Sequence, residues 1–202
     1  MPHLNTGPGE HDLTASAIIL RTVRGRTHVL LHRHRRLGML MQPGGHVERV
    51  EDPWAAVAHE LREESGYELE QLMLLQPAHR LERSEGVLVL PQPLSLTVHP
   101  IGADHIHTDL VYAFVTQEDP AGRPGEGESQ ELLWLPVDEL DGPGAALGVA
   151  PGVADLAGYA SAAMASSALI TVTPPLANTF VISTRWTSGS ESQQPSSSTI
   201  SR

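Results

Sequence analysis

The 202-residue chain contains no cysteine. That excludes disulfides, thiolate nucleophiles and cysteine-type zinc sites, and it fits a reducing compartment. Aromatic residues are scarce, at 4% against 40% hydrophobic residues in all, so aliphatic side chains have to fill the core. Basic residues are also short: Lys and Arg number 13 against 24 Asp and Glu, for a net charge of -11. This balance argues against nucleic acid as a partner, because its phosphates are held by cationic side chains. A phosphorylated small molecule stays open, since bound metal ions supply positive charge locally. No apolar run reaches the length of a membrane span, so no membrane partner is expected. The N-terminal MPHLNTGPGEHDLTAS has no basic segment leading into an apolar one and does not read as a signal peptide. The expected location is cytoplasmic, and a homodimer is left open.

What is present suits one domain with something appended. Residues 1–13, rich in Pro, Gly and His, read as a flexible N-terminal arm. Residues 14–165 read as the domain, and residues 166–202 as a Ser/Thr/Pro-rich tail, largely disordered. Within that tail NTFVISTRW is expected to stay outside the core, and the stretch from Ser188 to be disordered. In the domain, ASAIILRTV and THVLLHRH read as two strands about the turn RGR. ELEQLMLLQP, HIHTDLVYAFVT and ELLWLP read as further strands, GVLVLPQPLSLTVHP as short extended pieces, and GVADLAGYASAAMASSAL as a terminal helix. EDPAGRPGEGESQ reads as a flexible acidic loop.

The best-specified element is another helix. Asp52 is a good N-cap, Pro53 a good first residue and Gly66 a good stop. Trp54, Val57, Ala58 and Leu61 recur at helical spacing and give one apolar face. Glu60, Glu63 and Glu64 stand at i, i+3 and i+4, with Glu60 and Glu64 bordering the apolar stripe. Three like charges this close repel. A divalent cation relieves them, and oxygen-only donors favour Mg2+ or Mn2+ over zinc. On the helix alone, the commoner explanation is a solvated glutamate face with Arg62 and Arg83 as partners.

The flanking residues reverse that balance. Gly45 is followed at fixed spacing by Glu51, Glu60, Leu61, Glu63, Glu64, Gly66 and Tyr67. The run closely resembles the Nudix box: glycine, five residues, glutamate, seven residues, Arg-Glu, an aliphatic, any residue, Glu-Glu, any residue, glycine, an aliphatic or aromatic. One position departs, with His59 where the family has arginine. The match covers Gly45–Tyr67 directly, and the order of strands extends the resemblance over roughly residues 14–160. It implies an α/β fold, the Nudix-type α/β/α sandwich around a mixed sheet. It implies metal ligands at Glu60, Glu63 and Glu64, joined by the backbone carbonyl of Gly44, with Glu51 in support. The implied reaction is metal-dependent hydrolysis of a pyrophosphate bond in a nucleoside diphosphate linked to another moiety. The implied cofactor is Mg2+ or Mn2+, and the substrate is a small molecule.

In that family the general base is a box glutamate or an acidic residue on a later loop. GEGESQE offers Glu126, Glu128 and Glu131 on a segment that can close over the site, and Glu131 is the one assigned here. His59 is counted with the catalytic set as a weaker arginine: it has fewer donors and is charged only below about pH 6.5 unless its neighbours raise that value. Arg62, one turn on, faces away on the helical wheel. The alternative reading is a catalytically weakened Nudix-like module that binds a nucleotide or regulates.

Two further groups stand out. HIHTD puts His105, His107 and Asp109 on one face of a strand, where they can bind a metal or receive a phosphate. LLHRHRRLG clusters His32, Arg33, His34, Arg35 and Arg36 just before the PGG loop, the one basic patch in an acidic chain. Arg35, His105, His107 and Asp109 are accordingly the candidate substrate-binding residues. A solvated strand end explains either group as well. Trp54 and Trp134 read as core.

Overall fold

The computed structural model describes residues 11–101, 105–166 and 169–175. Among them nine strands form one mixed sheet: β1 (His11–Val23), β2 (Arg26–Arg33), β3 (Leu40–Met41), β4 (Gly44–His46), β5 (Met73–Pro77), β6 (Ser95–Pro100), β7 (Ile106–Val115), β8 (Leu132–Pro136) and β9 (Leu169–Val172). Two α-helices, α1 (Pro53–Glu60) and α2 (Val153–Met164), flank it.

β1 is the hub. It runs parallel to β7, with Asp12 opposite His107 and Thr14 opposite Asp109. Its other edge is shared by two antiparallel partners. Leu20–Val23 pairs with β2, and Thr14–Ser16 pairs with β4. A strand covered on both faces reads as a continuous apolar run rather than an alternation, and Thr14–Leu20 is buried throughout. One face packs Ala15, Ala17, Ile19, Tyr112 and Phe114 against Trp54, Val57 and Leu61 of the first helical segment. The other packs Ile18, Leu20, Val111 and Ala113 against Val153, Ala157 and Ala160 of α2. The result is the expected α/β/α sandwich.

Three boundaries differ from the sequence expectation. The composition suggests a flexible arm over residues 1–13, but β1 already begins at His11 and Asp12 is buried. ELEQLMLLQP yields a strand only from Met73, because Leu69–Gln71 forms a 3-10 turn closed by a reciprocal Glu68–Gln71 capping box. The tail from residue 166 contains β9, which pairs with β5, and Pro175 O accepts the Trp54 indole N–H at 2.9 Å. A short apolar run, LITV, suffices for an edge strand once β5 satisfies its backbone. Residues 1–10, NTFVISTRW and the stretch from Ser188 lie outside the described residues. Among the described residues no helix is long and apolar enough to cross a membrane.

Candidate active site

α1 begins as its cap residue dictates: the Asp52 carboxylate accepts the N–H groups of Trp54 and Ala55, both at 2.9 Å. After Glu60 the chain widens into a π-helical turn, Leu61–Ser65, which stops at Gly66 with φ of 74°. Gly66 is required twice over. Its backbone is left-handed, and a Cβ there would lie 2.7 Å from the carbonyl group of Gly122. Single π turns are frequent at functional sites. Here the turn sets Glu60 and Glu64 inward, each only 7% exposed, and leaves Glu63 at the rim.

The PGG loop receives these two carboxylates. Gly44 N–H donates to Glu64 Oε2 at 2.9 Å. A Cβ on Gly45 would lie 2.0 Å from Glu60 Oε1, so only glycine lets that carboxylate rest on β4. Burial pushes Glu60 up to about 7, with His59 opposing. Burial pushes Glu64 up to about 9, the charge of Glu60 adds to this, and the Gly44 hydrogen bond opposes it. His32 Nε2 stands 3.3 Å from Glu64 Oε2, but burial holds His32 down at about 4, so it is neutral and does not offset the charge. Two buried carboxylates over the paired glycines of β4, with no cation from His32, fit a divalent ion. Their oxygen-only character suits Mg2+ or Mn2+.

At the rim His59 links the box glutamates: Nε2 lies 3.0 Å from Glu63 Oε1 and Nδ1 3.9 Å from Glu51 Oε1. Burial pulls its pKa down, but the hydrogen bond to Glu63 and the charges of Glu63, Glu60 and Glu51 outweigh this, and the net shift is upward. Arg62 forks onto Glu68 instead, away from the pair.

The acidic loop is docked rather than loose. Gly122 N–H donates to Gly66 O at 3.0 Å, Gly125 N–H to Glu63 O at 2.7 Å, and Tyr67 O–H to Glu118 O at 2.6 Å. This docking brings the Glu128 charge to bear on both Glu60 and Glu64. Glu131, the residue assigned from sequence, is drawn elsewhere. Its carboxylate accepts from Arg33 Nε at 2.9 Å, and that bond lowers its pKa. Arg35 donates to Gly127 O, and a pocket of about 440 Å³ opens between Arg33, His34, Arg35, Gly38 and the Gly127–Ser129 segment.

The second group, HIHTD, lies elsewhere. Strand neighbours point to opposite faces. Gly45 faces Glu60, so His46 faces away from it, toward Asp12, His105 and His107. Asp109 is committed: it is 3% exposed and accepts from Thr14 Oγ1 at 2.9 Å and Ser16 Oγ at 2.7 Å. It therefore ties β7 to β1 and does not project toward a ligand. His107 is held down at about 4 by burial and by His46, His105 and His99. Sequence reasoning missed Asp12 and His46 as members of the histidine group, and put His32 in the basic patch rather than beside Glu64. Of Asp12 and His46, only His46 carried a signal, as a polar residue directly after the paired glycines.

A family model described as NUDIX domain matches residues 11–155. No curated protein matches the chain. Among solved structures, a NUDIX-family hydrolase from Clostridium perfringens superposes with a TM-score of 0.59 at 24% identity, over 76% of this chain and 97% of that one. An Ap4A hydrolase of C. elegans, in a binary complex, gives 0.53 at 18% identity, over 76% and 98%. The NUDIX domain of Shewanella oneidensis NrtR, complexed with ADP ribose, gives 0.52 at 14% identity, over 77% and 89%. At these identities the superpositions establish the fold alone.

Proposed function

The chain belongs to the NUDIX family, and we propose that it hydrolyses a pyrophosphate bond in a nucleoside diphosphate linked to another moiety, with Mg2+ or Mn2+ held by Glu60, Glu63 and Glu64. The carrying observation is the pair of buried carboxylates, Glu60 and Glu64, converging on Gly44 and Gly45. A divalent ion bound there supplies charge neutralisation for phosphate oxygens and a more acidic water.

The chain's own residues do the rest. Gly44 N–H fixes one Glu64 oxygen. His59 holds Glu63 at the rim. Glu128, carried in by the docked loop, is the acidic loop residue whose charge reaches both buried carboxylates, and we assign its carboxylate to take the proton of the attacking water. Arg35, with Arg33 and His34, lines the pocket beside Glu128 and receives the substrate's phosphates. Asp109, His105 and His107 lie on the face of the sheet opposite Glu60 and Glu64, and we assign them no contact with the substrate. Two similar proteins, an Ap4A hydrolase and a NUDIX domain complexed with ADP ribose, support a nucleotide-derived substrate.

A panel of nucleoside diphosphate derivatives, assayed for phosphate or nucleotide release, tests this reading. Turnover with Mg2+ or Mn2+ and none with chelator is the expected result. Tight binding with no turnover across the panel would instead favour the nucleotide-binding module. The rim position has its own test. His59→Arg restores a permanent charge where His59 loses its own as pH rises, so activity should climb about 2- to 5-fold, most clearly above pH 7. An unchanged or lower rate at pH 8 would give His59 a role that arginine cannot fill.

A further inference from the structure

At one end the sheet runs β4–β1–β7–β6, and one face of that end gathers histidine and aspartate from separate strands. Parallel register sets Asp12 beside His107, antiparallel register sets His46 beside Thr14, and His105 stands just before β7. One ligand atom from each of Asp12, His46, His105 and His107 lies within 4.8 Å of all the others. Asp12 Oδ2 is 3.3 Å from His46 Nε2 and 3.0 Å from His105 Nε2. In a tetrahedral site with ligand bonds near 2.05 Å the donor atoms stand about 3.3 Å apart. Two of the required edges are therefore already close to the needed length. His107 Nε2 is buried and makes no hydrogen bond among the described residues.

We propose that Asp12, His46, His105 and His107 bind a zinc-class divalent ion, at a site distinct from the glutamates of the box. Three imidazoles and one carboxylate are a borderline, nitrogen-rich set that suits Zn2+ and not Mg2+. All four positions are taken by protein, as in structural rather than catalytic zinc sites. The site clamps the start of β1 and the start of β7 to β4, the strand whose Gly44 and Gly45 seat Glu64 and Glu60. Its ion would thus hold the floor of the active site without touching substrate. The plain alternative is that Asp12 merely accepts from two imidazoles while His107 packs edge-on against His46, His99 and His105, which leaves His107 Nε2 buried without a hydrogen bond among the described residues.

Cobalt decides between them, because tetrahedral Co2+ absorbs visible light far more strongly than octahedral Co2+. The untagged full chain, stripped with chelator, is titrated with Co2+. We expect an intense visible band saturating at one ion per chain, bleached by equimolar Zn2+ and untouched by excess Mg2+. The band should persist in Glu64→Gln. It should be lost in His107→Gln and in Asp12→Asn, with at least about 100-fold weaker binding. A wild-type chain with no intense band overturns the proposal, whatever the variants do. So does a band that survives both His107→Gln and Asp12→Asn, or one that vanishes in Glu64→Gln.

Discussion

Glu64→Gln lowers kcat by about 10³-fold or more while the protein still folds, because the lost anionic donor serves a charge-stabilising term worth several kcal/mol. The substitution preserves side-chain length, and the amide oxygen still accepts the Gly44 N–H. What it removes is charge, from a carboxyl that burial already disfavours as an anion. A purely structural Glu64 predicts a different pattern: full activity, or a loss of activity that tracks a loss of fold. Single-turnover rates and melting curves on the same preparations separate the two. Retention of more than about a tenth of wild-type kcat would remove Glu64 from the metal-binding set. Glu131→Gln is the informative contrast. Its carboxylate is spent on Arg33 at the edge of the pocket, so kcat should change little beside the effect of Glu128→Gln.

What could be read from the sequence follows the range over which the information is stored. Glu60, Glu63 and Glu64 are fixed relative to one another by helical spacing, and Asp52, Pro53 and Gly66 mark the ends of their segment within the sequence itself. The π turn was not legible, since no residue type requires it. Gly45 could be placed by the box pattern, but its physical reason, a Glu60 carboxylate occupying the space of a Cβ, is tertiary. Glu131 and Glu128 are three residues apart on one loop, and sequence gives no means to choose between them. Backbone bonds from Gly122 and Gly125 dock the loop on the end of the box helix, and the bond from Arg33 engages Glu131; both are tertiary contacts, and our assignment of Glu128 rests on them. The histidine group shows the same limit. HIHTD displayed two of its members, whereas Asp12 and His46 arrive through strand pairings that no local pattern encodes. Asp12 even fell in the segment read as a loose arm, whose Pro/Gly composition hid the first residues of β1.

Stripped of divalent ions, the chain should lose thermal stability as pH rises from about 6.5 to 9, and the sign follows from proton counting. Folding raises Glu60 to about 7 and Glu64 to about 9 from 4.5, so across this window the folded state holds protons that the unfolded state has released. Their stabilising contribution is complete below pH 4.5 and is lost as pH passes through the folded values. His59, also raised, acts in the same direction above its ordinary value. Below 6.5 the slope is different. His32 and His107 are lowered to about 4, so their contribution grows with pH between 4 and 6.5 and offsets the two glutamates. The metal-free profile should therefore be nearly flat between pH 4.5 and 6.5 and then fall, by on the order of 10 °C in Tm by pH 9. At the proposed metal site Mg2+ would bind the ionised carboxylates and stabilise by mass action, so its effect on Tm should be small at pH 5.5 and largest at pH 8.5. Glu64→Gln should flatten the fall and abolish most of the Mg2+ response together. Scanning calorimetry across pH, with chelator or with Mg2+, reads both. A metal-free Tm that holds steady or rises from pH 6.5 to 9 would mean that Glu60 and Glu64 ionise as easily in the fold as in water, and that they need no cation to lie where they do.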